Sequence, residues 1–239
     1  MIQTIRSLLY LIGMALFTIV FGFLSLLTVL VPYKQRYKII VTWSAANLWW
    51  LRITCDLHYV VEGKENIPDR ACIVMSNHQS TWETMAIGTV FPPLTWVIKK
   101  ELLFLPIFGW GLALTEPIAL DRKSGRKAVD QLTLKGKQKL QSGRSILIFP
   151  EGTRTPPGEK RKFRIGGAML AAEAGAPIVP VAHNSGKFWA RKQLTKKPGT
   201  IKMVIGPIIE SQGKTAAEIN KEVFNWISTQ RDILENTPA

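Results

Sequence analysis

The most apolar stretch of the chain lies close to its start. Residues 7–33, SLLYLIGMALFTIVFGFLSLLTVLVPY, hold no charged side chain. As a helix, the 24 residues 8–31 would be ~36 Å long at ~1.5 Å per residue, enough to cross a hydrocarbon core of ~30 Å. A cleaved leader fits less well. The run is too long, only Arg6 precedes it, and Pro32 with Lys34, Arg36 and Lys38 follows where small residues should mark a cleavage site. A retained anchor is expected, with the remainder of the chain on the cytoplasmic side, because the cations cluster after the run. A second uncharged stretch, residues 39–51, is too short to span and contains Trp43, Trp49 and Trp50. That density suits the headgroup zone. The two stretches form either a span followed by a surface segment or a hairpin dipping into one leaflet. Residues 1–55 are therefore assigned to a membrane anchor and residues 56–239 to one globular domain.

From residue 56 the pattern alternates between short apolar runs and amphipathic stretches. Strands are expected at residues 59–62, at 72–76 (CIVMS), at 94–99 (LTWVIK), at 117–120 (PIAL), at 145–149 (SILIF), at 177–182 (PIVPVA) and at 201–206 (IKMVIG). CIVMS is wholly apolar, as in a strand buried on both faces. Helices are expected at residues 81–90, where FPP stops the pattern, at 124–141, at 167–173 and at 215–234. Strands separated by helices predict an α/β fold: a central mixed sheet flanked by helices and preceded by the apolar helical anchor. Ligands of such sheets collect outside the strand ends.

Charge changes this picture. The chain carries 31 Lys+Arg against 17 Asp+Glu, a formal +14, which favours an anionic partner. Residues 122–164 hold 13 basic and 3 acidic side chains, +10 of the total. No nucleic-acid-binding signature accompanies them, so an anionic phospholipid membrane or phosphorylated substrates are the expected partners, and nucleic acid is not. A solvated basic face also explains the lysines of LKGKQK, residues 134–139. Cys55 and Cys72 lie inside apolar runs without metal-like spacing, and read as buried thiols of a reducing compartment. The sequence contains neither a metal-ligand cluster nor a Gly-x-Gly-x-x-Gly fingerprint, so no bound cofactor is expected.

Two strand ends carry the candidate chemistry. The first, NHQSTWE at residues 77–83, delivers His78 and, five positions on, Glu83. Ser80 to Glu83 also matches a helix capping box, in which the glutamate merely returns to a backbone amide. In the other reading Glu83 holds one ring nitrogen of His78 so that the other takes a proton from a substrate hydroxyl. The second, FPEGTR at residues 149–154, offers Gly152 for close backbone approach, the Thr153 hydroxyl, and Arg154 for a phosphate. A serine hydrolase would need a nucleophile elbow, and no Gly-x-Ser-x-Gly occurs. His58 and His183 are the other histidines, the first in an early strand and the second just after VPVA.

Together, NHxSxWE and FPEGTR resemble the lysophosphatidic acid acyltransferases, the 1-acylglycerol-3-phosphate O-acyltransferases of bacterial type, over roughly residues 70–185. The resemblance implies a membrane enzyme at the inner membrane that acylates the sn-2 hydroxyl of lysophosphatidic acid to phosphatidic acid. The donor would be an acyl thioester of acyl carrier protein or CoA, a co-substrate and not a cofactor. It implies His78 as general base with Glu83 in the carboxylate position, where the family motif His-x4-Asp has an aspartate. It further implies Lys99, Arg122, Glu151, Gly152, Thr153 and Arg154 as substrate-binding residues. Another lyso-lipid acceptor, or a non-enzymatic basic module on a membrane surface, remain the alternatives.

Overall fold

The computed structural model describes residues 1–237. Seven strands form one sheet: β1 (Leu57–Glu62), β2 (Ile73–Ser76), β3 (Leu94–Lys99), β4 (Ile118–Leu120), β5 (Ser145–Ile148), β6 (Ile178–His183) and β7 (Gly199–Ile205), in the order β1-β7-β6-β2-β5-β3-β4. The five strands β6, β2, β5, β3 and β4 are parallel, whereas β7 runs antiparallel to β6 and carries β1 with it, which makes the sheet mixed. Both β2 and β6 are buried along their whole length, as expected of strands covered on both faces.

The alternation of side chains splits the interior in two. Val74, Leu147, Val179 and Val181 point to one core, while Ile73, Met75, Ile146 and Ile178 point to the other. The second core is closed by α5 (Arg126–Gln141), α6 (Gly166–Ala174) and α7 (Ala216–Asn236), through Leu132, Leu170, Ile219 and Val223. The first is closed by α3 (Trp82–Val90) and by two N-terminal helices, α1 (Ile2–Leu26) and α2 (Tyr33–Cys55). A further short helix, α4 (Phe108–Leu114), lies against α1. The sequence pattern does not predict α4, because FGWGLAL is a single apolar run without helical alternation.

The N-terminal region differs from expectation in extent. The apolar helix begins and ends earlier than residues 8–31, closing at Leu26, with Pro32 as the N-cap of the next helix. The stretch 39–51 is not a short surface segment but the middle of the 23-residue α2, paired with α1 as a hairpin. Two of its tryptophans serve that pairing: Trp43 Nε1 donates to Thr18 Oγ1 (3.2 Å) and Trp50 Nε1 to the Leu9 carbonyl (3.2 Å). Only Trp49 is exposed. A Cβ on Gly13 would stand 2.0 Å from Trp50 Nε1, so glycine permits this crossing. Tyr10, Tyr37, Leu48 and Leu51 belong to the same core as Trp82 and Val74, so the hairpin and the sheet share one interior.

Relative to a soluble helix, α1 is inside out. Its buried residues are Ser7, Tyr10, Gly13, Gly22 and Ser25, while Ile5, Leu9, Ile12, Leu16, Ile19 and Phe23 form an exposed apolar stripe at helical spacing. This helix is long and apolar enough to cross a membrane. Phe23 meets the exposed Trp110 of α4 edge-on at 6.4 Å, which extends the apolar surface onto the body.

Candidate active site

β2 and β5 are adjacent and parallel, with Met75 opposite Ile148, so the segments following them emerge side by side. The turn after β2 presents His78, and the turn after β5 presents Phe149 and the EGTR loop. Backbone contacts staple the two turns together: Thr155 N donates to the His78 carbonyl (2.7 Å), and His78 N donates to Glu151 Oε1 (3.1 Å). The Phe149 ring stacks on the imidazole with centroids 4.1 Å apart and planes 16° from parallel. Thus the aromatic of FPEGTR fixes the plane of the histidine.

Glu83 fixes its rotation. His78 Nδ1 lies 2.8 Å from Glu83 Oε1, and the same oxygen accepts from the amides of Gln79 (2.8 Å) and Ser80 (2.7 Å). The capping and orienting roles of the glutamate therefore coexist. Ser80 Oγ completes the turn by accepting from Trp82 N (3.1 Å). Glu83 Oε2 accepts from Ser185 Oγ (3.0 Å), supplied by the segment after β6. Complete burial pushes the Glu83 carboxyl up, but the neighbouring His183 and His78 imidazoles and these hydrogen bonds outweigh it, leaving the pKa lowered to about 2. An anionic Glu83 makes Nδ1 the protonated nitrogen, so Nε2 carries the lone pair.

The remaining histidines are otherwise engaged. His183 is fully buried, its Nε2 donating to the Asn77 carbonyl (2.9 Å) and its Nδ1 accepting from Ser185 N (3.4 Å). With one nitrogen donating and the other accepting, the ring is a brace beneath the site, and burial lowers its pKa. His58 sits exposed on edge strand β1 beside Asp56.

His78 lines a cavity of ≈450 Å³ that runs from the strand ends to the N-terminal helices, a size typical of small-molecule sites. Its far end is apolar, walled by Phe21 of α1, Val41 and Trp43 of α2, and Phe108 and Leu112 of α4. Its near end is cationic, with Lys99, Arg122, Arg154 and Arg191. Lys99 is exposed on this wall, whereas the neighbouring Lys100 pairs with Asp121 (2.6 Å) outside it. Arg122 also donates to the Gly152 carbonyl, so it braces the EGTR turn as well as facing the cavity. Gly152 has φ +71°, and a Cβ there would meet Arg164 Nε at 2.6 Å. Thr153 and Arg154 line the cavity. Glu151 does not: it is buried, one oxygen under the His78 amide and the other without a hydrogen-bond partner among the described residues, and burial raises its pKa. Sequence reasoning missed Phe149 as a stacking platform, Ser185, and Arg191. The last was detectable as a cation in the loop leaving a central strand, the NSGKFWARK segment after VPVA.

A histidine–carboxylate pair beside a cavity with apolar and cationic walls is an arrangement suited to acyl transfer. In agreement, a family model described as Acyltransferase matches residues 58–184. The chain belongs to the 1-acyl-sn-glycerol-3-phosphate acyltransferase family. It is 42% identical over 95% of its length to the 1-acyl-sn-glycerol-3-phosphate acyltransferase of Pseudomonas aeruginosa, covering 90% of that protein. It is 35% identical to the enzyme of that name from Saccharomyces cerevisiae, over 58% of this chain and 48% of the yeast one. The crystal structure of the 1-acyl-sn-glycerophosphate acyltransferase PlsC from Thermotoga maritima shares the fold, with a TM-score of 0.82 at 24% identity, over 98% of this chain and 97% of that one.

Proposed function

We propose that this enzyme transfers an acyl group from a thioester, carried by acyl carrier protein or CoA, to the sn-2 hydroxyl of lysophosphatidic acid. His78 is the general base. The observation that carries this reading is the Glu83–His78 contact at 2.8 Å, which leaves Nε2 as the proton acceptor at the boundary between the apolar and cationic ends of one cavity. The substrates divide in the same way, into a hydrocarbon chain and a phosphate. Lys99, Arg122 and Arg154 hold the acceptor's phosphate and so place its hydroxyl, while Phe21, Trp43 and Phe108 enclose an acyl chain. As the hydroxyl oxygen attacks the thioester carbonyl, Nε2 takes its proton. On collapse of the tetrahedral intermediate the C–S bond breaks, and the imidazolium returns the proton to the thiolate. Neither metal nor cofactor is required, since the substrates bring both nucleophile and leaving group.

The apolar stripe of α1 and the exposed rings of Phe104 and Trp110 sit in the cytoplasmic leaflet of the inner membrane, with the basic surface against its anionic headgroups. The acyl chain of a membrane-resident acceptor then reaches the cavity without crossing water.

The test uses detergent-extracted protein, wild type beside His78→Ala, with palmitoyl-CoA and palmitoyl-acyl carrier protein, with and without lysophosphatidic acid. Phosphatidic acid should form only with the acceptor present and fall by at least ~10³-fold in the mutant. Undiminished product would remove His78 from the base role. No product from wild type with either donor would reject the acceptor.

A further inference from the structure

A second cavity, of ≈360 Å³, adjoins the first. Leu11 and Met14 of α1 form one wall, and Trp189, Arg191 and Lys192, from the segment after β6, form another. Thr81, Arg154 and Arg191 line both cavities, so the two share a wall. The sheet order explains their separation. From β2, which delivers His78, the strands on one side are β5, β3 and β4, bearing Arg154, Lys99 and Arg122 at or beyond their ends. On the other side β6 stands next, and Arg191 and Lys192 follow it. Lys99 and Arg122 thus line only the first cavity and Lys192 only the second, with Arg154 and Arg191 on the wall between them.

The cations of the second cavity are unneutralised. Arg154, Arg191 and Lys192 enter no ion pair among the described residues, and Arg191 has only a long contact, 3.4 Å, to Thr153 Oγ1. Lys192 has φ +63°, a conformation that non-glycine residues seldom adopt and that is often retained where function requires it. Lys196 is different: its Nζ lies 4.9 Å above the Trp189 ring and 5.2 Å from Tyr10, and it donates to the Leu194 carbonyl (2.9 Å). Its charge belongs to the cavity's frame.

We propose that this second cavity seats the phosphate of the donor's phosphopantetheine arm, with Arg191 and Lys192 as its ligands. The inference rests on the acyl-transfer reading above. Both substrates of that reaction bear phosphates: the acceptor's lies one carbon beyond the one that carries the attacking hydroxyl, whereas the donor's lies at the far end of the arm from the thioester, so the two need separate seats. The β3–β4 flank is taken by the acceptor, so the β6 flank falls to the donor. Coenzyme A and acyl carrier protein present the same arm: a thiol end that carries the acyl group, a narrow chain of methylenes and amides, then a branched apolar carbon beside the phosphate. Leu11, Met14 and Trp189 match that apolar segment, and the cations match its end.

The test has a binding arm and a kinetic arm on the full-length, detergent-purified protein, with melting temperature as the control for folding. Wild type, Arg191→Ala and Lys192→Glu are titrated with 4′-phosphopantetheine and with pantetheine, which differ only in the phosphate. Wild type should bind the phosphorylated probe about tenfold more tightly, the worth of a charge-assisted contact, and both variants should lose that preference. In initial-rate kinetics the variants should raise KM for palmitoyl-CoA and for palmitoyl-acyl carrier protein by a similar factor, and Lys192→Glu, whose side chain lines only the second cavity, should leave KM for lysophosphatidic acid within twofold. Equal binding of the two probes to wild type would overturn the proposal. So would a rise in acceptor KM alone, which gives the cavity to the acceptor, or a rise confined to the CoA donor, which points to its nucleotide phosphates. If wild type formed no phosphatidic acid yet kept the probe preference, the acceptor assignment would fall and the seat for the arm would stand.

Discussion

At the scale of single residues, the informative departure is Glu83 where the resembled motif has aspartate. The extra methylene is accommodated because both oxygens are occupied: Oε1 by His78, Gln79 and Ser80, and Oε2 by Ser185. Glu83→Asp cannot serve both sets of donors, and kcat should fall roughly 10–100-fold with acceptor KM little changed, on the scale of one or two hydrogen bonds to a charge. Ser185→Ala removes only the Oε2 contact and should lower kcat about tenfold while shifting the pH–rate profile, since Ser185 acts through Glu83 and touches no substrate. The same carboxylate sets an acid limit to stability. Its pKa is lowered from 4.5 to about 2 on folding, so the unfolded chain binds more protons between those values. Glu83 therefore stabilises the fold above about pH 4.5 and loses that contribution as pH falls toward 2. Thermal melts of wild type between pH 3 and 6 should show the decline, and Glu83→Gln should flatten it.

At the scale of elements, the C-terminal end of α7 ties together the loops beside the site. Thr215 and Glu218 cap its start reciprocally (2.8 Å and 3.3 Å). At its other end, Glu235 accepts from Gln79 Nε2 (2.5 Å), next to His78, and from Gly158 N (2.8 Å) in the loop after EGTR. Glu235→Ala should therefore loosen residues 156–165 without unfolding the protein. Limited proteolysis within KRK, residues 160–162, should accelerate severalfold and kcat should drop, while the melting temperature moves by only a few degrees, the change expected of ~1 kcal/mol. The amphipathic pattern of α5 and α7 and the apolar runs of β2 and β5 were legible in the sequence, since each follows a single period. The extent of α2 was not, because its buried face is split between α1, α3 and the sheet and so follows no single period. α4 is too short and too uniformly apolar to show any period.

At the scale of the whole molecule, the N-terminal hairpin is structural as well as the proposed means of attachment. Ser7 Oγ accepts from Lys196 N (2.9 Å), Tyr37 Oη donates to the Gly88 carbonyl (2.7 Å), and Arg36 pairs with Glu116, which also holds Lys139 (2.9 Å) and Arg144 (2.6 Å). Deleting residues 2–31 should therefore not release a soluble, active enzyme. It would uncover Tyr37 and Leu48 in the first core and remove Phe21 from the cavity wall, so the product should aggregate or lack a cooperative melt. Recovery of a monomeric, active fragment without detergent would refute this. The +14 charge should make binding to anionic vesicles weaken with salt while the apolar stripe of α1 retains a salt-resistant fraction, as sedimentation at low and high ionic strength would reveal.

By itself the sequence determined the α/β architecture, the apolar leader, and both motifs of the site, because these depend on local period, length and the side chains at the strand ends. It also carried His78, Glu83, Lys99, Arg122 and Arg154 as candidates. Only the tertiary structure decided which groups meet. Parallel pairing of β2 with β5 puts Phe149 on His78 and ties Glu151 to its amide, away from the cavity. The crossover that lays β6 beside β2 brings Ser185 to Glu83 from 102 positions away in the chain. Such contacts follow from strand order, a property of the packed sheet as a whole that no local periodicity encodes.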